Sequence, residues 1–69
     1  MEQIINLRDD YIKLGQALKA AGFADSGVDA KFLINEGNVK VNGAVETQRG
    51  KKLYSGDTVE FEGNTIKIK

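Results

Sequence analysis

Three positive charges lie close together in the second half of the sequence, at Arg49, Lys51 and Lys52. Gly50 separates the arginine from the two lysines, and no acidic residue interrupts the stretch that begins at Gln48. An arginine guanidinium can bind a phosphate through two hydrogen bonds or stack on a base, whereas a lysine ammonium acts as a point charge. The pattern favours a flexible loop that reaches phosphate groups. The alternative is an ordinary solvated surface, where most lysine clusters are found.

The remaining charges are unevenly distributed along the chain. Ten basic and ten acidic residues cancel, so the formal net charge is zero. Residues 13–53 nevertheless hold seven basic and four acidic residues, which makes this segment +3. Residues 1–12 hold one basic and three acidic residues, and residues 54–69 hold two and three, so the flanks are −2 and −1. A basic middle with acidic flanks favours a partner that is an anion.

Most residues on which enzymes depend are missing. The sequence has no cysteine and no histidine, which excludes a disulfide framework, a thiolate zinc site and any Ser/His or Cys/His nucleophile pair. The adjacent carboxylates of Asp9 and Asp10 remain, but such a pair is more typical of a solvated turn than of acid–base catalysis. We therefore predict a protein that is not an enzyme and uses no metal, cofactor or small-molecule substrate.

The length of 69 residues predicts a single domain. No apolar run is long enough to cross a bilayer, and the polar, acidic start at residues 1–4 differs from the basic start of a signal peptide. We expect a cytoplasmic monomer without a membrane partner.

Two short helices are predicted in the first half. An amphipathic helix over about 14–21 is followed by Gly22, a typical residue after a helix end. A second helix begins at Ser26, whose hydroxyl can cap the first free amides, with Asp29 completing a capping-box-like pair, and Gly37 ends it. The inward-facing residues are Leu14, Ala17, Leu18 and Ala21 in the first helix and Ala30, Leu33 and Ile34 in the second.

The second half changes from a helical to a strand period. Val39 and Val41 alternate with polar residues, and Asn42–Gly43 follows, which between alternating apolar residues is a strong hairpin signal. The expected fold is α+β, with two short helices packed on a small, mostly antiparallel β-sheet. Further strands are predicted over 3–7, 44–47, 58–62 and 65–69, with a turn at 8–10 and a basic loop over 48–52.

The spacing of these signals resembles a known family. The residues that carry the resemblance are Ser26, Ala30, Ile34 and Gly37, then Val39-Lys40-Val41-Asn42-Gly43, then Gly56-Asp57-Thr58-Val59. This pattern resembles the RNA-binding domain of the small-subunit ribosomal protein S-four type, also called the alpha-L motif. The motif core runs over about 13–61, and residues 1–12 form an N-terminal strand or extension. The stretch 45–53 is similar to the short, stand-alone bacterial subfamily called YaaA-like or YbcJ-like.

The resemblance implies a non-catalytic protein that binds structured RNA, with ribosomal RNA and ribosome assembly or maturation as the expected context. In related proteins this domain is joined to pseudouridine synthases, tyrosyl-tRNA synthetases or heat-shock proteins, and the chemistry belongs to the other domains. The residues expected at the RNA surface are Lys13, Lys31, Asn35, Lys40, Arg49, Lys51 and Lys52. Of the basic ones, we expect Lys13 and Lys31 on helices, Lys40 on the outward face of a strand, and the other three on the basic loop.

This sequence departs from the family pattern at several positions. Gly15 stands where the family usually has an aspartate, and Gln48 stands where it usually has an arginine. The start of the second helix has Gly27, Val28 and a single lysine, Lys31, where the family usually has several basic residues. Glycine caps a helix less well than aspartate, and the loss of basic residues at Gln48 and in the second helix reduces the positive field, so both weak and highly selective binding remain open.

Phe32 lies almost opposite the inward stripe of the second helix, on the same face as Val28. Two interpretations are open. The one we favour is that the N-terminal segment, with Ile4, Ile5 and Leu7, folds over it. The other is an exposed patch beside Lys31 and Asn35 that stacks on a base or meets a protein partner.

Two rival functions follow from the same residues. The stretch 56–61 also resembles a strand of β-grasp sulfur-carrier proteins, whose chemistry needs a C-terminal Gly-Gly. The sequence ends at residues 66–69 as Ile-Lys-Ile-Lys, so that activity is not expected. A small adapter that docks proteins without RNA remains the alternative.

Overall fold

The computed structural model describes residues 2–69 as two helices and seven short strands. The elements are β1 (Glu2–Ile5), β2 (Ile12–Lys13), α1 (Leu14–Ala20), α2 (Gly27–Asn35), β3 (Val39–Val41), β4 (Ala44–Val45), β5 (Lys52–Leu53), β6 (Thr58–Phe61) and β7 (Asn64–Ile68). No helix in this part of the chain is long and apolar enough to cross a membrane.

Five of the strands form one sheet in the order β1-β7-β6-β3-β4. Within the described residues, β1 and β7 form the only parallel pair, and the other neighbours are antiparallel. The predicted α+β fold with a mostly antiparallel sheet is therefore confirmed. Strands β2 and β5 form a separate antiparallel pair.

The helices begin and end close to where the sequence predicts. Ser26 caps α2, since its Oγ accepts a hydrogen bond from the backbone N–H of Asp29 at 3.2 Å. Gly22 and Gly37 follow the two helices with φ of +84° and +79°, a backbone conformation that glycine adopts without a steric penalty.

One apolar core joins the helices to the five-stranded sheet. Alternate residues of β3, β6 and β7 point toward the helices, as the period of two requires. Residues between them, such as Lys40 and Glu60, point to the opposite, outer face of the sheet and are exposed. The buried core residues are Leu14, Ala17, Leu18, Ala24, Ala30, Ile34, Val39, Val41, Leu53, Val59, Phe61, Ile66 and Ile68.

Three expectations need correction. The N-terminal segment pairs with β7 at the sheet edge and does not cover α2, so Phe32 is 64% exposed. Lys13 lies in β2 rather than in a helix, and Lys52 lies in β5 rather than in a loop. The predicted turn at Asn42–Gly43 is confirmed, because both residues have positive φ, +51° and +87°.

Candidate nucleic-acid interface

Two lysines face each other across the β2–β5 pair. Lys13 is the register partner of Lys52, and Ile12 is the partner of Leu53. Leu53 is fully buried and Ile12 is half-buried, so the alternating pattern directs both lysines to the outer surface. Like charges directly opposite each other repel across a strand pair. The local fold therefore concentrates positive charge at this point.

The basic stretch 49–51 lies against the first turn of α1. The backbone N–H of Leu14 donates to the carbonyl of Lys51 at 2.8 Å, and the N–H of Gly15 donates to the carbonyl of Arg49 at 3.0 Å. These bonds satisfy two of the free amides at the start of α1. The stretch predicted as a flexible loop is thus held against the first turn of the helix by its own backbone.

The Arg49 side chain extends from the start of α1 to the start of α2. Its Cβ lies 3.5 Å from the place where a Cβ on Gly15 would be, and its Nη1 lies 4.0 Å from the corresponding place on Gly27. A Cβ at either glycine would make ordinary van der Waals contact with the arginine. Gly15, the departure from the family pattern, is therefore a packing position beneath Arg49.

A shallow groove of about 320 Å³ opens beside this arginine. Three cationic side chains, those of Lys13, Lys19 and Arg49, contribute to its walls, and none of the described residues that line it is acidic. Carboxylates that could neutralise the cations are therefore missing from the groove, so their field is directed at solvent. The other lining residues are Gly15, Gln16, Gly27 and Gly50.

The exposed face of α2 continues from this groove. Lys31 and Asn35 are exposed and follow Gly27 at four-residue intervals, which places them on one face of the helix, one and two turns beyond the arginine. Phe32 and Val28 lie beside this row and are 64% and 76% exposed. Polar, cationic and apolar groups are thus adjacent on the outer surface of α2.

Lys40 is separated from this surface. It lies on the outer face of the five-stranded sheet, whereas the helices cover the inner face, and its cross-strand partners are Glu60 and Val45. The same face carries the ion pair of Lys67 with Glu2, at 3.3 Å. The structure therefore groups Lys13, Arg49 and Lys52 around the start of α1, continues with Lys31 and Asn35 on α2, and places Lys40 on the other side.

Lys51 lies at the edge of the group, beside Asp57. The backbone N–H of Tyr54 and the side-chain amide of Asn42 donate hydrogen bonds to the Asp57 carboxylate, at 2.8 and 3.1 Å. These two bonds, in that order, hold the pKa of Asp57 below its usual value of 3.8, and the positive charge of Lys51 acts in the same direction. Asp57 is consequently an anion that anchors the end of β5.

Three residues of this surface were absent from the predicted set. Lys19 lies on the groove beside Lys13, and its spacing of three residues from Gln16 along α1 is a signal that helical periodicity provides. Tyr11 and Tyr54 flank the β2–β5 pair, with ring centroids 6.0 Å apart. Their proximity depends on a long-range strand pairing for which the sequence has no local signal.

Comparison with known proteins identifies a family and relatives. The family described as the S4 domain matches residues 5–69. The "Putative RNA-binding protein YbcJ" of Escherichia coli (strain K12) is 43% identical over 58 residues, covering 84% of this chain and 83% of that protein. The "Probable ribosome maturation protein RlbA" of Bacillus subtilis (strain 168) is 44% identical over 63 residues, covering 91% of this chain and 89% of the relative.

A solved structure is also similar. The solution structure of YbcJ from E. coli, described as having an alpha-L motif involved in RNA binding, superposes with a TM-score of 0.68 at 37% sequence identity. The similarity covers 97% of this chain and 84% of that one. The matched family, the relatives and the superposed fold confirm the resemblance seen in the sequence, and the chain belongs to the S4 domain family.

Proposed function

We propose that this protein binds structured RNA, without catalysing a reaction, through the surface around the Arg49 groove. The observation that carries the proposal is the convergence of Lys13, Lys19 and Arg49 on one groove without an acidic lining residue among those described. Two relatives support it by name, one as an RNA-binding protein and the other as a ribosome maturation protein.

The charge arrangement suits a phosphate backbone. The opposed ammonium groups of Lys13 and Lys52 repel each other in the free protein, and a phosphate between them would replace repulsion with two attractions. Arg49 lies next to this pair and has a planar fork of donors that fits a second phosphate. Lys31 and Asn35 extend the contact along α2, and Lys51 lies at the edge of the surface.

The RNA class that we propose is ribosomal RNA, bound by a monomer during assembly or maturation of the ribosome. The neutral overall charge supports selectivity, because a protein without a net positive charge attracts RNA only where its basic residues are concentrated. The seventh predicted residue, Lys40, lies on the other sheet face, and we place it outside the contact surface.

Charge reversal provides a matched test. Lys13→Glu and Lys40→Glu change the charge of the protein equally but at opposite sides. Crosslinking in bacterial cells, followed by sequencing of the recovered RNA, should yield ribosomal sequences with the wild type and with Lys40→Glu, and a strongly reduced yield with Lys13→Glu. Equal yields from the two variants would contradict the proposed surface, and recovery of mainly non-ribosomal RNA would contradict the proposed RNA class.

The second candidate is a protein-docking adapter, which the exposed Phe32 and Val28 favour. The two functions differ in salt dependence, because counterion release makes RNA binding weaken steeply with salt. Phe32→Ser changes no charge, so it should leave the salt dependence of RNA retention unchanged if RNA is the partner. Loss of a co-purifying protein in this variant, with no RNA retained by the wild type, would support the adapter.

A further inference from the structure

An aromatic pair lies at one end of the two-stranded sheet. Tyr11 immediately precedes β2 and Tyr54 immediately follows β5, so the register that joins Ile12 to Leu53 also places the tyrosines opposite each other. Their ring planes are inclined at 51°. Because Leu53 points into the core, the residues on either side of it point outward. The tyrosines therefore share the outer face of this sheet with the lysine pair.

Both tyrosines are partly exposed to solvent. Tyr11 is 37% exposed and Tyr54 is 49% exposed, and neither belongs to the apolar cluster or to the hydrophobic residues packed against it. The Nζ of Lys52 lies 4.8 Å from the centroid of Tyr11, within the range of a cation–π contact. Tyr11 thus holds the ammonium in place, and Tyr54 is the more accessible ring.

A cation beside an exposed aromatic ring can bind both the phosphate and the base of a nucleotide. The ammonium binds the phosphate and the ring stacks on the base, which is how proteins hold single-stranded RNA. Bases inside a duplex are already stacked on one another, so this arrangement selects a nucleotide in a loop, in a bulge or at a strand end. The groove beside Arg49 remains available for the phosphates of the RNA stem next to this nucleotide.

We propose that Tyr54 stacks on an unpaired RNA base whose phosphate is bound by Lys13 and Lys52, and that Tyr11 is a positioning residue that orients Lys52. This inference rests on the proposed RNA-binding function and adds an element to it: the RNA has an unpaired nucleotide at the edge of the basic groove. The site thereby distinguishes a stem with a loop or bulge from a continuous duplex.

Two RNA hairpins with identical stems test the proposal. One has a seven-nucleotide uridine loop, and the other has the same loop with abasic riboses, so the phosphates are equal and only the bases differ. Stacking contributes about 1–3 kcal/mol per base, so the wild type should bind the uridine loop on the order of tenfold more tightly. Tyr54→Leu should lose this preference and bind the abasic hairpin as the wild type does. Tyr54→Phe should keep it.

The remaining outcomes separate the two proposals. Equal affinity of the wild type for both hairpins, or a preference that survives Tyr54→Leu, would overturn the stacking site while leaving RNA binding intact. Binding to neither hairpin at low salt would overturn both, and a protein partner lost in Tyr54→Leu would then assign the tyrosines to protein docking. Tyr11→Leu should reduce the salt dependence of binding to the abasic hairpin, since Lys52 loses its support, whereas Tyr11→Phe should not. A thermal melt of each variant establishes that it is folded.

Discussion

The side-chain amide of Asn42 donates a hydrogen bond to the carboxylate of Asp57 at 3.1 Å, joining the β3–β4 turn to the turn before β6. The Oδ1 of Asn42 also accepts the backbone N–H of Thr58 at 3.0 Å, and the other carboxylate oxygen of Asp57 accepts the N–H of Tyr54 at 2.8 Å. Asn42 is therefore more than a residue that tolerates positive φ. It links the hairpin turn to the segment from which Tyr54 extends.

The lowered pKa of Asp57 predicts a specific dependence of stability on pH. The pKa is below its usual value of 3.8 in the folded state, so the folded protein holds the proton less tightly than the unfolded chain does. The stabilisation is complete above the usual pKa and is lost as the pH falls through the lowered value. Asp57→Asn should melt at a lower temperature than the wild type at pH 7.

The pH dependence of the melting temperatures of wild type and Asp57→Asn tests whether the charge of Asp57 is responsible. The difference in melting temperature between wild type and Asp57→Asn should shrink as the pH falls from the usual pKa of 3.8 through the lowered value, since the wild-type carboxylate becomes protonated over this range. A difference that stays constant over this range would show that Asp57 stabilises the fold through its shape and hydrogen bonds and not through its charge.

Gly43 should be a position of backbone strain and not of RNA contact. Its φ is +87°, and a Cβ placed there would meet no atom within 4 Å, so only the backbone conformation penalises a side chain. Gly43→Val should destabilise the fold by on the order of 1–3 kcal/mol, a large share of the stability of so small a domain. RNA binding should fall in proportion to the unfolded fraction measured by thermal melting.

Gly50→Val is the matched control, because Gly50 also has open space around it but no positive φ. This variant should melt close to the wild type. If Gly43→Val instead melts normally and still loses RNA, the hairpin turn is itself a contact surface.

Local signals in the sequence were sufficient for the helices and the hairpin. Ser26, Gly22 and Asn42–Gly43 act through bonds or backbone angles within a few residues, so their structural roles can be predicted without knowledge of the tertiary fold. The pairing of β2 with β5 could not be predicted in this way. Each strand has two residues, too few for a recognisable period, and the partners are distant in the sequence.

For the same reason, only part of the site could be predicted from the sequence. The basic residues are visible as charges, but the face on which each lies depends on the sheet and on the strand pairing. Lys40 has the same charge and exposure as Lys13, yet the two lie on different sides. Phe32 was expected to be covered because the N-terminal segment is apolar, and that segment instead adds a parallel strand to the sheet edge.

The lysines that face each other across the β2–β5 pair are expected to lower the stability of the fold and to increase its affinity for RNA. Lys13→Gln removes the repulsion from Lys52, since like charges directly opposite each other destabilise a strand pair. The variant should melt at the same or a slightly higher temperature and bind RNA more weakly. Thermal melting and a binding isotherm on the same preparation measure both effects.

Lys40→Gln should behave in the opposite way. Lys40 lies across from Glu60, an attractive pair, so its loss should lower the melting temperature slightly and leave RNA binding unchanged. Weaker RNA binding in Lys40→Gln, comparable to that of Lys13→Gln, would return Lys40 to the contact surface that the sequence alone predicts.

Salt dependence should count the phosphates that the basic surface neutralises. If about four phosphates of loop RNA are contacted, the logarithm of affinity should fall against the logarithm of salt concentration with a slope near −3. Replacing Arg49, Lys51 and Lys52 together by alanine removes three cations but leaves Lys13 on the phosphate that it shares with Lys52. The slope should therefore become clearly shallower, and affinity at physiological salt should fall more than about tenfold. The thermal midpoint should hardly change, because exposed charges contribute little to stability. Lys67 and Lys69, near the end of the chain, provide the control, since their double alanine variant should keep the wild-type slope. An equal loss of affinity in that variant would mean that RNA binds the outer face of the five-stranded sheet.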